Sequence, residues 1–187
     1  MNDVSDLIFE EIIQQNNNLV EFQGQHGLFE NIEKIIFDLR SYYLKDQEIL
    51  SLYKCIQSNK QMLELEIKIC ICNLNCNQIQ KLTISFSELT QLKKLILDVN
   101  ETFIESSGLI YIGKAIQNLP QLIHLALNVW YSEIELEGFI SFAKYLSEIK
   151  SLRVFTFNFR WNLFDDIQQQ YVQNIFKKQR RLVKCIF

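Results

Sequence analysis

The sequence predicts an α/β solenoid of five in-phase units, each a short strand followed by a helix. Three observations lead there. Five stretches begin alike: NIEKIIFDL from Asn31, QMLELEIKI from Gln61, QLKKLILDV from Gln91, QLIHLALNV from Gln121 and SLRVFTFNF from Ser151. Their lead apolar residues, Ile32, Met62, Leu92, Leu122 and Leu152, fall thirty positions apart with no insertion or deletion. Within each copy the apolar spacing changes from a strand period to a helix period.

The strand half comes first. Apolar residues recur three, five and seven positions after the lead, as in Leu92, Leu95, Leu97 and Val99. The last three alternate with period two, the signature of a short strand with one buried face. Ten positions after the lead stand Tyr42, Cys72, Thr102, Ser132 and Asn162. Most of these are small hydrogen-bonding side chains, suited to a chain leaving its sheet with backbone groups that need partners. Two positions later an apolar residue returns: Leu44, Leu74, Ile104, Ile134 and Phe164.

The helix half follows. Leu109, Ile112, Ile116 and Leu119 keep helical spacing, and Phe139, Phe142, Leu146 and Ile149 repeat it. The stripe continues in copy one through Ile49, Leu52 and Ile56, and in copy two through Ile79, Leu82, Phe86 and Leu89. Gly108 and Gly138 are expected just before their helices, and Gly113 and Ala143 where neighbouring helices pack closely. In copy five only Val172 and Phe176 keep the stripe, Gln169 and Gln179 replacing two apolar positions, as suits a terminal unit. Leu182 opens a sixth copy, RLVKCIF, a closing strand whose bare edge could dock a neighbour.

The order L-x-x-L-x-L, small polar turn residue, apolar residue, Gly, helix resembles the ribonuclease-inhibitor-like class of leucine-rich repeats. The resemblance covers residues 31–187, five full repeats plus the closing strand. It implies a right-handed α/β horseshoe with a parallel sheet on the concave side and helices on the convex side. It also implies protein binding through the concave face. Residues 1–30 are expected to be an N-terminal cap or a degenerate repeat, with DLIFEEII readable as an amphipathic capping helix.

Composition narrows the function. Of the 187 residues 48% are hydrophobic, enough for a continuous core, and a net charge of −3 gives no general attraction to polyanions. No apolar run reaches the roughly 20 residues of a membrane span, so no membrane association is expected. The start, MNDVSDLIFEE, is acidic where a secretory signal is basic. Five cysteines then read as reduced thiols of an intracellular, cytoplasmic protein. Cys70, Cys72 and Cys76 form CxCxxxC, but zinc sites use four ligands and His26 and His124 are remote in the repeat order, so no metal is expected. Gly-rich phosphate loops, GxSxG and HExxH are absent, and neither catalysis nor a cofactor is expected. KKQRR at 177–181 reads as compensation of a helix dipole, and no basic strip elsewhere supports nucleic-acid binding.

What remains is surface. Residues between the buried strand positions form two rows, Ile36, Glu66, Ile96, Ala126, Thr156, Ile186 and Asp38, Lys68, Asp98, Asn128, Asn158. The first is more apolar than a solvated sheet face needs. Beyond the strands lie Trp130, Tyr131, Arg160 and Trp161, residue types that dominate interface hot spots. Adjacent copies in a sheet lie about 4.8 Å apart, which makes these two pairs neighbours. The expected partner-binding set is Ile36, Ile96, Ala126, Asn128, Asn158, Trp130, Tyr131, Arg160 and Trp161. The expected function is a non-catalytic protein-interaction module, the alternative a structural subunit of a large multiprotein or ribonucleoprotein assembly.

Overall fold

In every central strand the second and fourth residues are buried and the other three half-buried, so one face turns inward and the other stays accessible. This holds for β3 (Glu64–Lys68), β4 (Lys94–Asp98), β5 (His124–Asn128) and β6 (Val154–Asn158). The structure, a computed structural model, describes residues 20–24, 32–40, 44–71, 73–178 and 184–186. It adds β1 (Val20–Gly24), β2 (Ile32–Asp38) and β7 (Lys184–Ile186). The seven strands form one sheet in chain order.

From β2 to β7 all pairings are parallel, and each links a residue to the one thirty positions on: Lys34 to Glu64, Glu64 to Lys94, Lys94 to His124, His124 to Val154 and Val154 to Lys184. The apolar period fixes this register, because a slip by one residue would turn every buried side chain outward. At the other end β1 runs antiparallel to β2, with Val20 opposite Phe37. Phe22, within the segment expected to be a cap or a degenerate repeat, is therefore on a strand. DLIFEEII lies outside the described residues, as do Tyr42, Tyr43, Cys72 and the last three residues of KKQRR.

Helices cover one face of the sheet. They are α1 (Asp46–Ser58), α2 (Cys76–Ile84), which runs into a 3-10 turn at Ser85–Glu88, α3 (Glu105–Ile116), α4 (Leu136–Glu148) and α5 (Asp166–Lys177). Their stripes and the inward strand residues make one continuous apolar core from Ile35 to Phe176. Two helices start with complete capping boxes. Asn75 accepts N–H bonds from Asn77 and Gln78 at 3.0 and 3.1 Å while Gln78 accepts the Asn75 N–H. Asp165 and Gln168 repeat the exchange at 2.8 and 3.1 Å. Each such cap is worth about 1 kcal/mol. No helix among the described residues is long and apolar enough to cross a membrane.

Gly108 and Gly138 lie inside the first turns of α3 and α4, not before them. Their reason is proximity. A Cβ on Gly138 would stand 2.9 Å from the Ser106 Cβ, and one on Gly108 2.7 Å from the Ile104 Cβ. Gly113 lets α3 approach α4, since a Cβ there would meet the Tyr145 ring at 2.8 Å.

Candidate functional site

The parallel ladder continues past the strand ends. The N–H groups of Leu39, Ile69, Val99 and Val129 donate to the carbonyls of Lys68, Asp98, Asn128 and Asn158. Two residues further the same bonding recurs from Ile71 to Asn100, Glu101 to Trp130 and Tyr131 to Arg160. The donors in this second set have positive φ: 58° at Ile71, 51° at Glu101 and 51° at Tyr131, with 61° at the equivalent Trp161. The chain thus turns off the sheet through a left-handed residue at the same place in four successive copies, and none is glycine. That conformation disfavours L residues, above all β-branched ones.

The turn residues foreseen from sequence staple these corners. Thr102 Oγ1 donates to the Val99 carbonyl at 2.6 Å, and Ser132 Oγ reaches the same carbonyl from the next copy at 3.2 Å. Asn162 does both through one amide, donating to Val129 and Phe159 carbonyls at 2.8 Å each. Its oxygen accepts the N–H groups of Ser132 and Ile134. The rim is therefore a stack of corners bonded to one another.

What the corners display is apolar and exposed. Tyr131 is 60% and Trp161 72% accessible, Ile71 56%, and Phe103 and Leu163, two positions beyond the left-handed residue, are 50% and 57% accessible. Trp130 is half-buried, its ring centroid 5.8 Å from that of Tyr131. Arg160 is exposed, and its carbonyl accepts the Tyr131 N–H, so the two aromatic-bearing turns lie side by side.

The sheet face away from the helices carries the other predicted residues. Ile36, Ile96 and Ala126 are half-buried and share one row with Glu66 and Thr156. In the second row Asn128 Oδ1 accepts the Trp130 N–H at 3.2 Å, so its polar end helps hold the rim, while Asn158 is half-buried. Charges on this face pair across and along strands: Glu64 with Lys94 at 3.3 Å and Glu66 with Lys68 at 2.6 Å. At the end of β2 the Arg40 guanidinium hydrogen-bonds Asp38 at 2.6 and 2.7 Å and holds its carboxyl below the ordinary aspartate range.

A pocket of about 250 Å³ opens on the rim, lined by Ile71, Asn73, Glu101, Thr102, Phe103, Tyr131 and Glu133. Of these only Tyr131 stood among the residues expected to bind. Sequence reasoning missed Phe103 and Leu163 because each precedes an inward apolar residue, Ile104 or Phe164, and only the second of each pair fits the repeat. Ile71 was missed because no glycine marks the corner.

Among the described residues no three His, Cys, Asp or Glu side chains are grouped as metal ligands would be. Cys70 is buried and Cys76 opens α2, while His124 follows Glu64 and Lys94 along one row.

No family model matches the chain, and no curated protein does. Solved structures do. One is leiomodin-1 actin-binding site 2, with a TM-score of 0.58 at 12% identity over 79% of this chain and 80% of that one. Another is the tropomodulin C-terminal domain from Caenorhabditis elegans, with a TM-score of 0.58 at 8% identity over 94% of this chain and 93% of that one. At such identities the likeness is one of fold. It corrects the expected class: these neighbours are leucine-rich-repeat-like domains but not of the ribonuclease-inhibitor-like class. The L-x-x-L-x-L pattern misled because it dictates only which strand residues are buried. The class resemblance depended on the turn, and here the turn runs through left-handed non-glycine residues with Thr102 and Ser132 at the stapling position.

Proposed function

We propose that the chain is a non-catalytic protein-interaction module that grips its partner with the rim formed by Trp130, Tyr131, Arg160 and Trp161. The adjoining sheet row of Ile36, Ile96 and Ala126, with Asn128 and Asn158 beside it, extends the contact. The observation that carries this reading is the run of exposed apolar side chains on hydrogen-bonded corners. Exposed apolar surface of this kind marks contact sites, and a rim held by its own backbone loses little freedom on binding. We read residues 31–187 as a right-handed solenoid of thirty-residue units and residues 1–30 as its cap or a degenerate repeat, within an intracellular protein.

Leiomodin-1 actin-binding site 2 is named for actin, which makes actin the first partner to try. The test is co-sedimentation with actin filaments beside an affinity pull-down from native extract. Each is run with the wild type and with a Trp130→Ala/Tyr131→Ala/Arg160→Ala/Trp161→Ala variant whose circular dichroism is unchanged. Loss of one specific protein with the variant supports the rim. Return of the same proteins with both sinks it.

A second reading, a fixed subunit of a large assembly, draws on the far end of the array. There Ile167 and Tyr171 on α5 are 80% and 52% accessible. A subunit of that kind aggregates when purified alone, whereas an interaction module stays monomeric.

A further inference from the structure

The rim pocket says what chemistry a partner brings. Its volume of about 250 Å³ falls below the roughly 300–1,000 Å³ of small-molecule sites, but suits one or two apolar side chains of a polypeptide. Ile71, Phe103 and Tyr131, all at least half accessible, supply its apolar lining. Glu101 and Glu133 supply its charge, and neither makes an ion pair among the described residues, although five other carboxylates do. Acidic residues prevail in the surrounding sequence, with Arg160 exposed on the next corner, where its carbonyl accepts the Tyr131 N–H. Residues 101–137 hold five glutamates against one lysine, Lys114, which lies over Tyr111 in the last turn of α3, and no arginine.

The backbone adds an independent argument. Ile71, Glu101, Tyr131 and Glu133 all have positive φ, between 51° and 58°. Glycine would make these corners without the strain that an L side chain meets there. Ile71 and Tyr131 give the core almost nothing in return, being mostly exposed. Their exposed side chains are open to a partner.

Resting on the interaction reading above, we infer that this pocket takes an apolar side chain from a basic segment of the partner, a Leu, Ile, Phe or Met flanked by Lys or Arg. The apolar anchor fills the space between Phe103 and Tyr131, and the flanking cations meet Glu101 and Glu133 at its mouth. The same two carboxylates repel nucleic acid and acidic peptides.

The test is selection of a displayed library of random peptides on the intact chain, followed by fluorescence polarisation of the enriched peptides. The enriched set is expected to carry an apolar residue between Lys or Arg residues and to bind more weakly as salt rises. Glu101→Lys/Glu133→Lys should weaken binding about tenfold or more, and the neutral Glu101→Gln/Glu133→Gln should weaken it by less. Glu133 is exposed and Glu101 half-buried, so the neutral variant keeps the test valid should charge reversal disturb folding. Enrichment of acidic peptides, no enrichment, or indifference to both variants overturns the inference. If the four-alanine variant loses its pull-down partner while both glutamate variants keep it, the rim still binds protein and only the basic-segment assignment falls.

Discussion

The side-chain oxygen of Asn162 accepts the backbone N–H of Ser132 at 3.1 Å, so the corner of one copy is held by the amide of the next. The same amide bonds Ile134 N–H and two carbonyls, Val129 and Phe159, within 2.9 Å. Asn162→Ala frees two donors and two acceptors in a half-buried corner. With unsatisfied buried groups costing about 1–3 kcal/mol each and water reaching some of these, a net loss of about 2–3 kcal/mol is expected. Urea denaturation measures it, and an unchanged midpoint would show that the staple is replaceable by solvent.

Ile71 is a β-branched residue at φ 58°, with a side chain 56% accessible. Ile71→Gly relieves the backbone and exposes little new core, so stability should rise by about 0.5–1 kcal/mol even after the greater freedom of the unfolded chain is counted. The same variant should bind the rim's partner less well. A drop in both stability and affinity would mean that Ile71 packs as a structural residue, and the argument from strain would fail.

How far the sequence carried depends on what each residue's pattern encodes. Burial is periodic, so Leu65, Leu95, Leu125 and Phe155 were placed in equivalent strand positions, and the structure pairs them in that register. Hydrogen-bonding corners were legible from Thr102, Ser132 and Asn162 because small polar side chains are the cheapest partners for a turning backbone. The left-handed conformation was not, since its usual marker is glycine and the chain has Ile71, Glu101, Tyr131 and Trp161 instead. Nor was β1, because VEFQG stands outside the thirty-residue repeat that placed the other strands. Trp130, Tyr131, Arg160 and Trp161 were legible as a surface by residue type. The pocket between Ile71, Phe103 and Tyr131 arises from the stacking of three copies, which no single copy reveals.

Gly138 sets how closely α4 approaches α3. A Cβ there would lie 2.9 Å from both Cβ and Oγ of Ser106 and 3.0 Å from Ile134 Cγ2. Ser106 Oγ also accepts the Glu135 N–H at 3.0 Å, a bond that displacement of the serine would break. Alanine gains about 1 kcal/mol of helix propensity over glycine, but overpacking costs about 1–3 kcal/mol and the lost bond adds to that. Gly138→Ala should therefore destabilise by about 1–2 kcal/mol. A rise in the thermal midpoint would show that the serine yields freely.

Asp46 joins α1 to α2, accepting from Lys81 Nζ at 2.6 Å and from Gln78 Nε2 at 3.2 Å. Those two bonds, with the Lys81 charge, hold its carboxyl below the ordinary aspartate range. Asp38 is lowered likewise, by Arg40. For a depressed carboxyl the unfolded chain binds the proton first, so the contribution is present above the ordinary aspartate pKa and is lost as pH falls through the folded value. Stability should decline below about pH 4, and Asp46→Asn should flatten part of that decline while changing little in salt-rich buffer, because both partners are exposed. Urea midpoints across the acid range settle the matter, an identical slope in the variant counting against the pair.

Copy five solves its packing differently from the copies before it. Copies three and four fill the sheet side with Leu95, Leu97, Val99 and Leu125, Leu127, Val129, beneath helices that bury five residues each. The last helix, α5, buries only Val172 and Phe176, and the strand side of its copy is Phe155, Phe157 and Phe159. Larger rings occupy the volume that a poorer helix leaves. Phe157 is at the centre, its ring 5.1 Å from those of Phe155, Phe159 and Phe176 and 5.6 Å from Phe142. Phe157→Ala should cost about 3–5 kcal/mol, a large part of the 5–15 kcal/mol that holds a typical domain together. The sharper test is Phe157→Leu, which restores the residue type of copies three and four. If the rings compensate for α5, leucine leaves a cavity and costs about 1–2 kcal/mol. A leucine variant as stable as the wild type would show that α5 already covers its strand, and that the phenylalanines are incidental to it.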